Sequence, residues 1–205
     1  FPYCYAMKPM KAVVFEFDGT LVSFDTHRVP DSDISALAEL REHGVKIFIS
    51  TGRMLSMIGV AEVVPFDGYV TYTGAYCLTA GKEVIYADPI PKREVERLLD
   101  YVEKDSFAVG FMDDRELTVN VADENVIEFS ARIDEAVPRV ADLREITRTR
   151  DVFQSCLFVE PEKEVFLMRE ILPGCVASRW TDLFADVNIR GNDKRTGIEH
   201  MLAYY

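Results

Sequence analysis

Apolar residues in this chain come in short runs that end abruptly on small or acidic residues. Ala12-Val13-Val14-Phe15 follows Lys11 and runs into Glu16 and then Phe17-Asp18-Gly19-Thr20-Leu21. Val45-Lys46-Ile47-Phe48-Ile49 runs into Ser50-Thr51-Gly52-Arg53, and Tyr69 to Thr73 ends at Gly74. Near-continuous β-branched and aromatic runs of this length mark strands buried on both faces, as in parallel sheets covered by helices. Between the first two runs, Pro30-Asp31-Ser32 supplies a helix start, Ile34, Leu37, Ala38 and Leu40 an apolar stripe, and Gly44 a stop. A second helix is expected from about Met54. Strands and helices in alternation predict an α/β fold with a doubly wound parallel sheet, whose ligand site lies where the strands end.

From Tyr76 the texture changes. Tyr76 to Thr79 and Glu83 to Tyr86 flank Ala80-Gly81-Lys82 and predict a hairpin. Pro89 and Pro91 mark a hinge before a helix through Val95, Leu98, Leu99 and Val102. Strands are expected at Phe107 to Met112 and Leu117 to Val121, separated by Asp113-Asp114, and at Phe153 to Val159. Helices are expected at Val126 to Ile133 and Glu162 to Ile171, and closing strands at Cys175 to Trp180 and Phe184 to Val187. The divisions are therefore a first layer over residues 7–88, an α+β block over 89–181, and a return to the first layer over 182–205. The final helix stops at Tyr205 with a doubly wound sheet still short of strands, so the chain is expected to be a fragment with its C-terminal part missing.

The 205 residues carry a formal net charge of -12. That balance disfavours nucleic acid and anionic membrane surfaces as partners, because phosphate backbones select basic faces. No stretch approaches a membrane span and no secretory leader is read, so a cytoplasmic location is expected. Phe1 to Ala6, ahead of Met7 and Met10, is read as upstream sequence without function. Cys4, Cys77, Cys156 and Cys175 are scattered and are expected to be reduced thiols rather than disulfide or zinc ligands. His27, His43 and His200 show no metal or triad spacing. Asp31-Ser32-Asp33 reads as a helix start and Asp113-Asp114 as a turn. The chain has no G-x-G-x-x-G, no G-x-x-x-x-G-K-[ST] and no G-x-S-x-G, which removes the main rival chemistries of such a sheet.

The strand ends carry the candidate chemistry. Glu16-Phe17-Asp18-Gly19-Thr20-Leu21 resembles the nucleophile motif of the haloacid dehalogenase-like phosphatases, an apolar strand followed by D-x-D-G-T and Leu or Val, with Glu16 in place of the first Asp. Ser50-Thr51-Gly52-Arg53 is similar to the second motif, T-G-R, and Lys194 to the third, a Lys just before a helix that begins near Gly197. Thr73-Gly74-Ala75 is similar to an N-G-A strand end with Thr in place of Asn. The resemblance extends from Lys11 onward and is to the Cof-type, sugar-phosphate phosphatase-like branch, in which an α+β cap is inserted into a doubly wound core. Residues 89–181 are the counterpart of that cap.

What the resemblance implies is a Mg²⁺-dependent phosphatase of sugar phosphates or related phosphomonoesters, acting on a small phosphorylated metabolite through an acyl-phosphate intermediate. It assigns catalysis to Glu16 as nucleophile, Asp18 as acid and base, and Thr51 and Lys194 on the phosphoryl group. It assigns Mg²⁺ to Glu16 and Asp18. Substrate contacts fall on Gly19, Thr20, Gly52, Arg53, Thr73 and Gly74, and, from the cap, on Arg179 and Trp180. A G-D-x-x-N-D metal loop of that branch has no counterpart here.

Each assignment has a structural alternative. Thr51 can cap a helix, Arg53 can form a surface ion pair, Arg195 can replace Lys194, and Trp180 can serve packing. The extra methylene of Glu16 displaces its carboxylate by roughly 1 Å, a shift of the order that costs about 10²-fold in rate. Impaired turnover is therefore expected. The alternatives are a non-catalytic descendant that binds a phosphorylated ligand, and a phosphomutase that passes the phosphoryl group to a second sugar hydroxyl.

Overall fold

The computed structural model describes residues 11–23, 26, 28–59 and 64–205. The readings made for Phe1 to Ala6, Met7, Met10, Cys4 and His27 lie outside the described residues. Two sheets form the framework. The first contains β1 (Ala12–Glu16), β2 (Lys46–Ser50), β3 (Gly68–Thr71), β4 (Tyr76–Thr79) and β5 (Val84–Ala87), side by side in that order. Strands β1, β2 and β3 are parallel, with Glu16 level with Ser50 and Ser50 with Val70. The β4–β5 hairpin then adds antiparallel strands, and its turn uses Lys82 at φ +65°. The sheet is thus parallel in its first three strands only.

Helices cover both faces. The stripe of α1 (Asp31–Glu42) packs Ile34, Leu37 and Leu40 against Ile47, Ile49 and Phe66. On the other face α6 (Lys194–Tyr204) sets Ile198 and Met201 against Val14, Phe48, Val70 and Cys77. Side chains alternate along a strand, so Ala12 and Val14, which belong to the α6 side, place Glu16 on that side too.

The helix expected from Met54 differs. Its described part is a single 3₁₀ turn, Leu55–Met57, and residues 60–63 are outside the description. Met54 is extended at ψ 156° and packs with Tyr72 and Ala75, whereas Ile58 packs with Phe17 and Leu21, so the described apolar residues after Arg53 are drawn into two separate clusters rather than onto one helical face.

The second sheet has the order β10 (Cys175–Ser178), β11 (Ala185–Ile189), β9 (Gln154–Leu157), β6 (Val109–Met112), β7 (Leu117–Val119) and β8 (Arg139–Val140). All pairings are antiparallel except β7 with β8. Helix α2 (Lys92–Val102) and the one-turn helix α4 (Leu143–Thr147) bury one face through Leu98, Leu99 and Leu143. Helix α3 (Glu124–Arg132) packs Val126 and Phe129 on the other face, where Met54, Tyr72 and Ala75 of the first layer also arrive. The expected helix at Glu162 to Ile171 is α5 (Pro161–Phe166), continued by a π turn at Leu167–Ile171.

One boundary shifts. Strand β11, placed in the returning segment by the division at 182, pairs with both β9 and β10. Its hydrogen bonds hold the chain in the second sheet through Ile189, and the crossing back falls at Arg190 to Asp193. There Asn192 bonds the Asp88 carboxylate, and Tyr86 Oη donates to Asn192 Oδ1 at 3.1 Å. The two strands of the crossing are thereby tied side by side.

Cys77, Cys156 and Cys175 are buried free thiols. Burial pushes the Cys77 and Cys175 thiols up to about 12 and raises Cys156 as well, so all three stay protonated and unreactive. Among the described residues no helix is long and apolar enough to cross a membrane.

Candidate active site

The carboxyl ends of β1, β2 and β3 converge under the first residue of α6. After β1 the chain turns back at once: the amides of Leu21 and Val22 donate to the Phe17 carbonyl at 3.1 and 2.9 Å, and Gly19 N–H donates to Val22 O at 2.8 Å. Gly19 sits at φ +69°, a conformation a side chain resists. The turn buries Phe17 and lifts Asp18 beside Glu16 at its base, with Gly19 and Thr20 exposed at the tip.

Each carboxylate meets its own cation. Lys194 Nζ donates to Glu16 Oε2, while Glu16 Oε1 accepts from Phe17 N–H at 3.1 Å. Arg53 grips Asp18 by both oxygens, Nε to Oδ2 at 2.9 Å and Nη2 to Oδ1 at 2.8 Å, with its guanidinium 5.4 Å from the Phe17 ring. Side-chain exposures of 35% and 31% for Arg53 and Asp18, and 41% and 32% for Lys194 and Glu16, leave both pairs accessible to water. Such pairs contribute about 0–1 kcal/mol each. Their importance is therefore placement rather than stability.

Glycines make the placement sterically feasible. A Cβ on Gly74, at φ +104°, would stand 2.0 Å from the Asp193 carbonyl oxygen, and one on Gly197 would stand 2.8 Å from Gly74 Cα. The end of β3 and the start of α6 thus touch backbone to backbone. Asp193 caps the helix through Thr196 N–H at 2.8 Å, and these amide bonds lower its carboxyl pKa. Lys194, one residue later, faces Glu16. Arg195 turns away to Glu199 at 2.8 Å, so the alternative to Lys194 is not the residue brought to the site.

Thr51 reaches the same strand end, but its hydroxyl is buried and accepts from Arg53 N–H at 3.1 Å. That bond shapes the loop that aims Arg53. Thr73 lies in the left-handed region at φ +55°, after Tyr72 at φ +50°. Asparagine tolerates this conformation far better than a β-branched residue, so the Asn-to-Thr departure has a conformational cost. The Thr73 hydroxyl lies 3.4 Å from where a Gly52 Cβ would stand, which keeps Gly52, Thr73 and Gly74 at one edge of the site.

The two cap residues are not brought to this cluster. Arg179 commits its guanidinium to Glu164 and to the Val159 and Asp182 carbonyls. Trp180 is 61% exposed, donates to Asp186 Oδ2 at 3.0 Å and stands edge-on to Phe184, with ring centroids 5.4 Å apart. A peptide stretch that satisfies its own polar groups inside the second layer has none left for the strand ends.

Tyr72 was not singled out by sequence, yet it joins the layers. Its buried ring stacks on Phe153 at 5.6 Å, and its hydroxyl donates to the Asp113 carbonyl. Asp186 was also missed, although the alternation Ala185-Asp186-Val187-Asn188-Ile189 signals a polar row on one strand face.

Among the described residues no group of three or more His, Cys, Asp or Glu side chains is placed to hold a metal ion. Mg²⁺ requires near-octahedral oxygen ligation, and Glu16 and Asp18 are both engaged by cations. These residues alone do not fit the metal that the resemblance implied.

A family model for haloacid dehalogenase-like hydrolases matches residues 13–205. The chain belongs to that family. BT1666 of Bacteroides thetaiotaomicron, described among phosphatases of the superfamily, is 33% identical with a TM-score of 0.87, covering 100% of this chain and 75% of that one. The subclass IIB sugar phosphatase BT4131 is 35% identical with a TM-score of 0.76, covering 95% of this chain and 76% of that one. YkrA of Bacillus subtilis (strain 168), provisionally named a phosphatase, is 28% identical over 94% of this chain and 73% of its own length. The family resemblance and the α/β architecture read from sequence therefore hold.

Proposed function

We propose that this chain binds phosphomonoesters, sugar phosphates among them, at the ends of β1, β2 and β3, and that it descends from phosphatases acting through an acyl-phosphate. The observation that carries this reading is the meeting of Glu16, Asp18, Arg53 and Lys194 at one strand end.

The residues divide the work by chemistry. A Glu16 carboxylate oxygen attacks phosphorus as the ester P–O bond breaks, and the leaving oxygen takes a proton from Asp18. Asp18 then removes a proton from water, whose oxygen attacks phosphorus, releasing phosphate and the Glu16 carboxylate. Lys194 offsets charge on the phosphoryl oxygens. Arg53 holds Asp18 by both oxygens in the free chain, and a guanidinium fork fits a phosphate equally well. An arriving phosphoryl group takes Arg53 over, and the freed Asp18 carboxylate takes up the proton of a phosphomonoester monoanion and passes it to the leaving oxygen.

Glu16 weakens this cycle. Its extra methylene and its contact with Lys194 favour a second reading, in which the chain holds a phosphorylated ligand without turning it over. A phosphomutase would share the first step and differ only in the acceptor.

Calorimetric titration with inorganic phosphate tests the site, and Arg53→Ala and Lys194→Ala each weaken binding by about tenfold or more. Hydrolysis of a phosphomonoester panel tests the chemistry. Glu16→Asp raises turnover by about 10²-fold if a catalytic cycle survives, and leaves it at background if the chain only binds. A chain whose Arg53 and Lys194 variants bind phosphate as well as the parent is not a phosphoryl site at all.

A further inference from the structure

Ser50 ends β2 with its side chain on the α6 face, because Phe48, two residues earlier, packs there with Val70 and Met201 and side chains alternate along a strand. Glu16 ends β1 on the same face and is level with Ser50 in the sheet; Val70 of β3 is level with Ser50 on its other flank. Val70 is apolar and lies directly under α6, where a Cβ on Gly197 would stand 2.5 Å from its Cγ1. Ser50 is only 3% exposed, and its hydroxyl has no hydrogen-bond partner among the described residues. A buried hydroxyl left in this state is disfavoured. Of the two side chains that flank it across the sheet, only Glu16 can accept its proton. In the free chain both Glu16 oxygens are already engaged, Oε1 by Phe17 N–H and Oε2 by Lys194 Nζ.

We propose that Ser50 is a positioning residue, whose hydroxyl takes hold of the Glu16 carboxylate when a phosphoryl group draws Lys194 away from it. The inference rests on the phosphoryl site proposed above. A phosphoryl group carries more charge than a carboxylate and competes for the Lys194 ammonium, so its arrival strips Glu16 Oε2 of a donor. Neighbouring strands lie about 4.8 Å apart, and a rotation of the Glu16 side chain alone brings a carboxylate oxygen to Ser50 Oγ. With one oxygen held there, the other faces the phosphoryl group. A side chain with one more rotatable bond than Asp is thereby kept in one arrangement. Thr51, the neighbouring hydroxyl, is occupied in shaping the loop through Arg53 N–H.

The test is a double-mutant cycle on the full chain, with inorganic phosphate titrated calorimetrically into the parent, Ser50→Ala, Glu16→Ala and the double variant. Ser50→Ala should weaken phosphate binding by about threefold to tenfold, the share of one hydrogen bond. Glu16→Ala releases Lys194 and keeps Arg53, so it still binds phosphate. In that background the carboxylate to be held is gone, and Ser50→Ala should shift affinity by less than about twofold. Urea unfolding without phosphate gives a second readout. Ser50→Ala should leave the midpoint unchanged or raise it, since the hydroxyl it removes makes no bond in the free chain. A serine with a merely structural role would lower that midpoint and weaken phosphate binding equally in both backgrounds.

Phosphate affinity untouched by Ser50→Ala, an equal loss in both backgrounds, or a lowered midpoint in the absence of ligand would overturn the positioning role, while phosphate binding by the parent upheld the phosphoryl site. Failure of the parent to bind phosphate would overturn both readings together.

Discussion

Gly74→Ala probes the contact that seats Lys194. At φ +104° the new Cβ would lie 2.0 Å from the carbonyl oxygen and 2.6 Å from the carbonyl carbon of Asp193. Both are backbone atoms, so no side-chain rotation relieves them, and either the end of β3 or the start of α6 must move. Positive φ costs an alanine about 1–2 kcal/mol, and forced overpacking adds about 1–3 kcal/mol, for about 2–5 kcal/mol in all. Gly191→Ala is the control, because Gly191 has φ +93° with nothing within 4 Å of its would-be Cβ, leaving only the backbone share of about 1–2 kcal/mol. Urea unfolding measures both, with the loss read from the midpoint at unchanged slope. Phosphate titration of the same samples should show weaker binding in Gly74→Ala only, since Lys194 moves with the displaced helix. Equal destabilisation of the two variants would refute the close approach and the account of how Lys194 is placed.

Three further outcomes are expected. Thr73→Asn relieves a β-branched residue from the left-handed region and should raise stability by about 0.5–1 kcal/mol in the same urea assay. Tyr72→Phe leaves the stack on Phe153 but strips the Asp113 carbonyl of its hydroxyl donor, costing about 1–2 kcal/mol in thermal or urea unfolding. Burial pushes Asp186 up to about 6 from 3.8, against the opposing hydrogen bonds of Trp180, Cys156 and Gln154. A carboxyl with a raised folded value destabilises once ionised, so stability should fall as pH rises from about 4 to about 6, by roughly 3 kcal/mol. Trp180 fluorescence should titrate with a midpoint near 6 in the native chain and lose that transition in Asp186→Asn, because the indole N–H donates to this carboxylate.

Much of this protein was legible along its sequence because local rules and tertiary packing agreed. The runs ending at Glu16, Ser50 and Thr71 are parallel strands whose ends carry the polar residues, and the stripe of Ile34, Leu37 and Leu40 is the buried face of α1. The hairpin at Ala80-Gly81-Lys82 and the helix after Pro91 formed as their turn and breaker residues require. Periodicity reads such features directly, since each depends on neighbours a few residues away.

Other features depended on residues far apart in the chain. Lys194 reaches Glu16 only because Gly74 and Gly197 let two backbones touch, and no local signal reports that approach. Sequence placed Phe184 to Val187 on the returning side, whereas hydrogen bonding to β9 and β10 kept β11 in the second sheet. That Arg179 is held by Glu164 and by the Val159 and Asp182 carbonyls, and that the Arg53 fork rests on Asp18, is likewise visible only in the folded chain. Strand order and the pairing of charges are settled by which surfaces meet across the fold, and those long-range contacts leave little imprint on the residues next in line.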